Sequence, residues 1–164
     1  MKNRLSAIAL ACATLLPALS HAQAIVRHKI PNSDFPIAQA VTLPPGTTIH
    51  FISGQVPPTV DKNAAPDSLA AFGDTRTQTT GVLTKIQDIL KGMGLTMGDV
   101  VKMQVFLVGD PAKGGKADVA GFMAGYTQFF GGAQPNLPAR AVVQVAALSN
   151  PGWLVEIEVV AAKK

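Results

Sequence analysis

From residue 37 onward the hydrophobic pattern alternates between strand-like and helix-like periods, and the order of those changes restricts the fold more than any motif does. Ile37 to Thr42 and Thr48 to Ser53 read as short strands, separated by Leu43-Pro44-Pro45-Gly46 as a hairpin turn. Pro57 to Asp74 is a loop rich in Pro, Ala and Asp, with a turn of helix expected near Leu69. Asp74 is placed as an N-cap for a helix whose apolar stripe is Val82, Leu83, Ile86, Ile89, Leu90 and Met93, ended by Gly92 and Gly94. Val100 to Val108 is a strand rich in β-branched and aromatic residues, broken by Asp110-Pro111 and Gly114-Gly115. A second helix is expected from Ala117 to Phe130, with Val119, Phe122, Met123, Tyr126 and Phe130 on one face. Strands at Ala139 to Leu148 and Leu154 to Ala161, joined by a turn at Ser149-Asn150-Pro151-Gly152, close the chain.

The resulting order, ββαβαββ, is not a uniform βαβ repeat. It predicts an α+β fold, a mixed sheet with two helices on one face. The second face of such a sheet needs cover, and a homo-oligomer would supply it. A chain of 164 residues with 48% hydrophobic content suffices for one domain, 23–164, with a real core.

Residues 1–22 are set apart as a secretory signal peptide. Lys2 and Arg4 form a positive start, Leu5 to Leu19 is apolar, and Ser20-His21-Ala22 is a small-x-small cleavage pattern. Cleavage after Ala22 or Ala24 fits, and a periplasmic or secreted mature protein is expected. Cys12, the only cysteine, leaves with that segment, so no disulfide, thiol nucleophile or cysteine-based metal site is expected in the mature chain. Without Lys2 and Arg4 the formal charge falls from +4 to +2, too small to argue for nucleic acid or an anionic membrane as partner. His28 and His50 lack ligand-spaced partners, and Gly92-x-Gly94 follows a helix where a dinucleotide loop would precede one. One Trp and one Tyr provide no stacking platform for bases.

The residues with chemical promise lie in the last quarter. A guanidinium offers paired planar donors that hold a carboxylate in one orientation, and Arg140 stands at the start of a strand, after Pro138-Ala139. Glu156, on the following strand, is a carboxylate able to take a proton from water. Alternation puts Arg140, Val142 and Gln144 on one face of their strand, and Leu154, Glu156 and Glu158 on one face of theirs. Read from the residues alone, Arg140 also fits a surface salt bridge, Glu156 and Glu158 the solvent face of an amphipathic strand, and Ser53-Gly54-Gln55 a strand end with its turn. Tyr126, Phe129 and Phe130 read as core.

This element order, with Ser53-Gly54-Gln55-Val56-Pro57, Thr77-Gln78-Thr79, Asp99-Val100-Val101-Lys102, Leu137-Pro138-Ala139-Arg140 and Val155-Glu156-Ile157-Glu158, resembles the Rid (YjgF, reactive intermediate deaminase) family over roughly residues 37–162. The resemblance implies a chorismate-mutase-like subunit, a homotrimer with clefts between subunits, and hydrolysis of enamines or imines such as 2-aminoacrylate to 2-keto acids and ammonia. It implies no cofactor and no metal. It assigns Arg140 to the substrate carboxylate and Glu156 to water activation, with Ser53, Gly54 and backbone donors near Val142 completing the pocket. Ile37 stands where many members carry Tyr, Met123 where Asn is common, and Ala141 where Ser often follows the arginine. The first two changes make the cleft more apolar and bear on substrate choice. A non-catalytic trimer that binds small carboxylates or a protein partner through the same clefts is the alternative.

Overall fold

The computed structural model describes residues 23–132 and 134–164. The signal segment 1–22 lies outside the described residues. Six strands and three helices follow in the order β1 (Val26–Lys29), β2 (Ala38–Thr42), β3 (Thr48–Gln55), α1 (Leu69–Phe72), α2 (Thr75–Gly92), β4 (Val100–Val108), α3 (Val119–Tyr126), β5 (Ala139–Val145) and β6 (Val155–Lys163). They build one mixed sheet in the order β1-β2-β5-β4-β6-β3, with the α2 and α3 stripes packed on one side of it.

The elements arise locally as their residues dictate. The Asp74 side chain accepts the Thr77 N–H and caps α2, and that bond holds its carboxyl below the usual range. Val82, Leu83, Ile86 and Leu90 form the fully buried stripe of this helix. Asp118 caps α3 in the same way through the Gly121 N–H. α3 is shorter than its apolar pattern suggests, because after Tyr126 the chain tightens into turns, with the Phe129 and Phe130 N–H groups both on the Tyr126 carbonyl. Gly125 lets α3 approach α2, since a Cβ there would meet the Thr79 side chain at 2.8 Å.

The pairing of the strands departs from the sequence reading at both expected hairpins. β5 and β6 do not pair with one another: β4 lies between them, parallel to β5 and antiparallel to β6. The α3 crossover between β4 and β5 makes that pair parallel. The turn at 149–152 is tied instead to the start of α2, where buried Gln78 donates to the Gly73 and Gly152 carbonyls and accepts the Leu154 N–H.

β2 and β3 are also unpaired with one another. β3 pairs with β6, whereas β2 pairs with β1 and meets β5 only at Ala38↔Ala139. Four strand spacings, about 19 Å on a flat sheet, separate β2 from β3. The connection 43–47 contains a turn closed by the Thr47 N–H on Pro44 O, so it cannot extend fully. β2 accordingly keeps only its first residue, Ala38, in register with β5. β1, with only Val26 as an apolar residue, gave no strand signal; Arg27 fastens it by donating to the Gly98 and Val100 carbonyls.

Alternation divides the side chains of the sheet sharply. Met103, Val105 and Leu107 of β4 and Val155, Ile157 and Val159 of β6 are buried against the helices. The opposite face has no helix and carries Lys102, Gln104 and Phe106 of β4 with Glu156, Glu158 and Val160 of β6. Ile49, Phe51 and Val143 are exposed, Phe51 at 81%. An aromatic side chain that open, beside the exposed Ile49 of the same strand, is poorly suited to water.

Candidate active site

Arg140 lies on the helix side of the sheet, because its register partner is the buried Met103. Its guanidinium sits in an aromatic cradle, with Cζ 4.2 Å from the ring centre of Tyr126, 5.1 Å from that of Phe122 and 5.5 Å from that of Phe35. Such contacts favour the cation and fix the plane of the fork. Nη2 donates to the Met123 thioether at 3.3 Å, a weak acceptor, while Nη1 is buried without a hydrogen-bond partner. Burial lowers the pKa of Arg140, and the neighbouring Tyr126 phenol partly offsets this. The same burial pushes the Tyr126 phenol up to about 12, against the pull of the Arg140 cation. The Tyr126 hydroxyl donates to Pro36 O at 2.8 Å, which ties the segment before β2 over the cradle. A half-buried guanidinium with an unmatched donor and, among the described residues, no carboxylate in contact is suited to an anion that arrives from outside.

Glu156 occupies the other face. Its register partner Phe106 is matched in turn by Val143, so Glu156 is two strands from β5 and three residues along from Arg140. From strand geometry the two Cα atoms are on the order of 14 Å apart. Their side chains also point to opposite faces, so one chain does not bring Arg140 and Glu156 together.

Glu156 instead packs against Gly54, where an added Cβ would collide with its Oε1. Gly54 and Ser53 lie at a break in the β3–β6 register between Ile52 and Gln55, which turns this backbone toward the carboxylate. Ser53 lines a cavity of about 370 Å³ on the open face, with Phe51, Lys102, Gln104 and Glu158. Ile37 lines a second cavity of about 470 Å³ beside Ala139, Arg140 and Ala141, and Lys102 borders both. Val142 points into the core beneath α3.

The sequence-predicted residues thus fall into two groups: Arg140 with Met123, and Glu156 with Gly54 and Ser53. Phe35 and Phe122 were missed as neighbours of Arg140, and Tyr126 was read as core alone. It is core and cradle at once. The spacing Phe122-x-x-x-Tyr126 puts two rings on one helical face and was the available signal. Among the described residues no group of three His, Cys, Asp or Glu side chains is arranged to hold a metal ion.

The sequence profile of the family described as Endoribonuclease L-PSP matches residues 31–163. The chain belongs to this family, that of the Rid/YjgF proteins. It is 31% identical over 140 residues to a 2-iminobutanoate/2-iminopropanoate deaminase of Salmonella typhimurium, covering 85% of this chain and 97% of that protein. It is 34% identical over 143 residues to a RutC family protein of Haemophilus influenzae, covering 87% and 98%. Among solved structures it resembles the Rid-family protein YyfB of Yersinia pestis, with TM-score 0.62, 28% identity and coverage of 85% and 98%. It also resembles Escherichia coli TdcF with bound serine, with TM-score 0.56, 30% identity and coverage of 87% and 99%. The α+β subunit with helices on one face of a mixed sheet is the fold of these Rid structures. Relatives at about 30% identity carry deaminase names, which gives this chain a family-level assignment to the Rid deaminases.

Proposed function

We propose that this protein hydrolyses 2-imino acids and their enamine tautomers to 2-keto acids and ammonia, acting as a homotrimer. The observation that carries the proposal is the Arg140 guanidinium, held in its cradle with Nη1 buried and lacking an acceptor. A 2-imino acid carries the carboxylate that this donor needs. Its imine carbon is already electrophilic, so the protein has only to place a water and take its proton. Glu156 is the base in this reading. Water adds to the C=N carbon as one of its protons passes to the carboxylate and on to the imine nitrogen. The carbinolamine hydroxyl then gives its proton through the same carboxylate to the amine, and the C–N bond breaks to release ammonia as the C=O bond forms.

Since Arg140 and Glu156 lie on opposite faces of one sheet, the reading requires them to meet across a subunit boundary. The open face, with Phe51, Ile49 and Val143 exposed, is the surface offered to neighbouring copies. Light scattering should give a trimer, and a stable monomer at micromolar concentration would end the shared-site reading. Export is part of the proposal and rests on residues 1–22. N-terminal sequencing of the mature protein should find Gln23 or Ile25 first; an intact Met1 in the cytoplasm would refute it.

The separation of Arg140 from Glu156 is also what a non-catalytic carboxylate-binding protein would tolerate, and one experiment distinguishes the two. Imine is generated by an amino acid oxidase and trapped with semicarbazide. The purified mature protein should lower the yield of semicarbazone. Binding of benzoate without any such effect would select the non-catalytic reading.

A further inference from the structure

We propose that Met123 is an oxidation site controlling Arg140: its conversion to the sulfoxide blocks the anion-binding edge of the guanidinium. The inference rests on the reading that this edge takes the substrate carboxylate. Three observations lead to it. Met123 Sδ already stands 3.3 Å from Arg140 Nη2. Arg140 Nη1, on the same fork, is buried and without an acceptor. Met123 is half-buried on α3, whereas Met97 and Met103 are in the core at 5% and 0% exposure, so a small oxidant reaches Met123 and not those two.

The chemistry needs a peroxide. One oxygen atom passes from the peroxide to the thioether sulfur, forming an S=O bond; the sulfur loses two electrons, and hydrogen peroxide leaves as water. A thioether is a weak acceptor, and a sulfoxide oxygen is a strong one. The new oxygen sits within reach of both Nη atoms and gives Nη1 the acceptor it lacks. Because that acceptor is held on α3 within contact of Arg140, it competes with a dissolved carboxylate at high effective concentration. Reduction of both sulfoxide epimers by methionine sulfoxide reductases would restore the site.

The test treats the whole mature protein with hydrogen peroxide and follows three readouts. Peptide mass spectrometry should show one added oxygen at exposed Met93 and at Met123, with Met97 and Met103 unmodified. The Nε–H resonance of Arg140 in a nitrogen-15 spectrum should shift on oxidation in the wild type and stay in place in Met123→Leu. Benzoate affinity should fall at least tenfold in the wild type, recover after reductase treatment, and change less than twofold on peroxide treatment of Met123→Leu. The inference is wrong if Met123 stays unmodified once Met93 is fully oxidised, or if its oxidation leaves the Arg140 resonance unmoved. It is equally wrong if oxidised protein keeps full benzoate affinity. If untreated protein binds no benzoate while the Arg140 resonance still shifts with Met123 oxidation, the carboxylate reading fails and the oxidation site stands.

Discussion

Arg140 and Glu156 are held by opposite means on opposite faces of one sheet. Arg140 is surrounded: three aromatic rings, a thioether and the β5 backbone fix its fork and shield Nη1 from water, although the residue as a whole is half-buried. Glu156 is given room: a glycine at position 54 and a break in the β3 register clear space around a half-exposed carboxylate. A cation that must hold an anion in one orientation gains from a fixed fork, because little freedom is left to lose on binding. A base that must exchange a proton with water needs access instead. The contrast teaches that the two halves of the proposed site are built differently within one subunit, and the proposed trimer is what would unite them.

The largest expected effect tests the Glu156 half. Glu156→Gln preserves shape and removes the proton acceptor, so turnover should fall on the order of 100-fold while benzoate affinity changes little. Equal activity in this variant would remove Glu156 from the chemistry. Next comes the other half: Arg140→Lys keeps the charge and loses the fork, and should weaken binding of a 2-imino acid by about 1.5–3 kcal/mol, the range for hydrogen bonds to charged groups. Calorimetry with benzoate measures it directly, and a variant that binds as tightly as wild type would show that the fork is not the anchor.

A smaller effect is expected from Gly54→Ala, which puts a methyl group against Glu156 Oε1 and obliges the carboxylate to move. Turnover should drop roughly tenfold, as reactive groups lose their alignment, with affinity for benzoate retained. A loss of benzoate affinity matching the loss of turnover would mean that the two halves are not independent.

The smallest effect concerns the cradle. Tyr126 is the only tyrosine, so phenolate absorbance at alkaline pH reports it alone. Its folded pKa of about 12 lies above the ordinary value of 10.0. The raised value means that the folded state favours the protonated phenol. Its contribution to stability is complete below pH 10 and is lost as pH rises through about 12. A spectrophotometric titration should place the transition near 12 in folded protein and near 10 in guanidinium. A folded midpoint near 10 would show that the cradle is open to water.

Much of this was legible in the chain before its fold was known. The α2 stripe from Val82 to Leu90, the Asp74 cap and the alternation of Val100 to Val108 are local patterns, set by neighbours within a turn or a pleat. The α+β class followed from their order, and Arg140 and Glu156 were singled out by chemistry and by family resemblance. Strand partners were not legible in the same way. Pairing depends on crossovers: α3 carries the chain from β4 to β5 and makes that pair parallel, and Gln78 draws the turn before β6 to α2, so the expected β5–β6 hairpin does not form, while β3 pairs with β6 and β2 with β1.

By itself the sequence determined which segments from residue 37 onward are helix and strand, which faces of them are apolar, and that an arginine and a glutamate stand near the starts of the last two strands. Only the tertiary structure decided that β4 lies between those strands, that Arg140 faces the helices and Glu156 the open side, and that Phe35, Phe122 and Tyr126 enclose the guanidinium. The reason is physical. Periodicity is written by contacts a few residues apart, whereas pairing order and the company a side chain keeps are settled by burying apolar surface between segments distant in the chain.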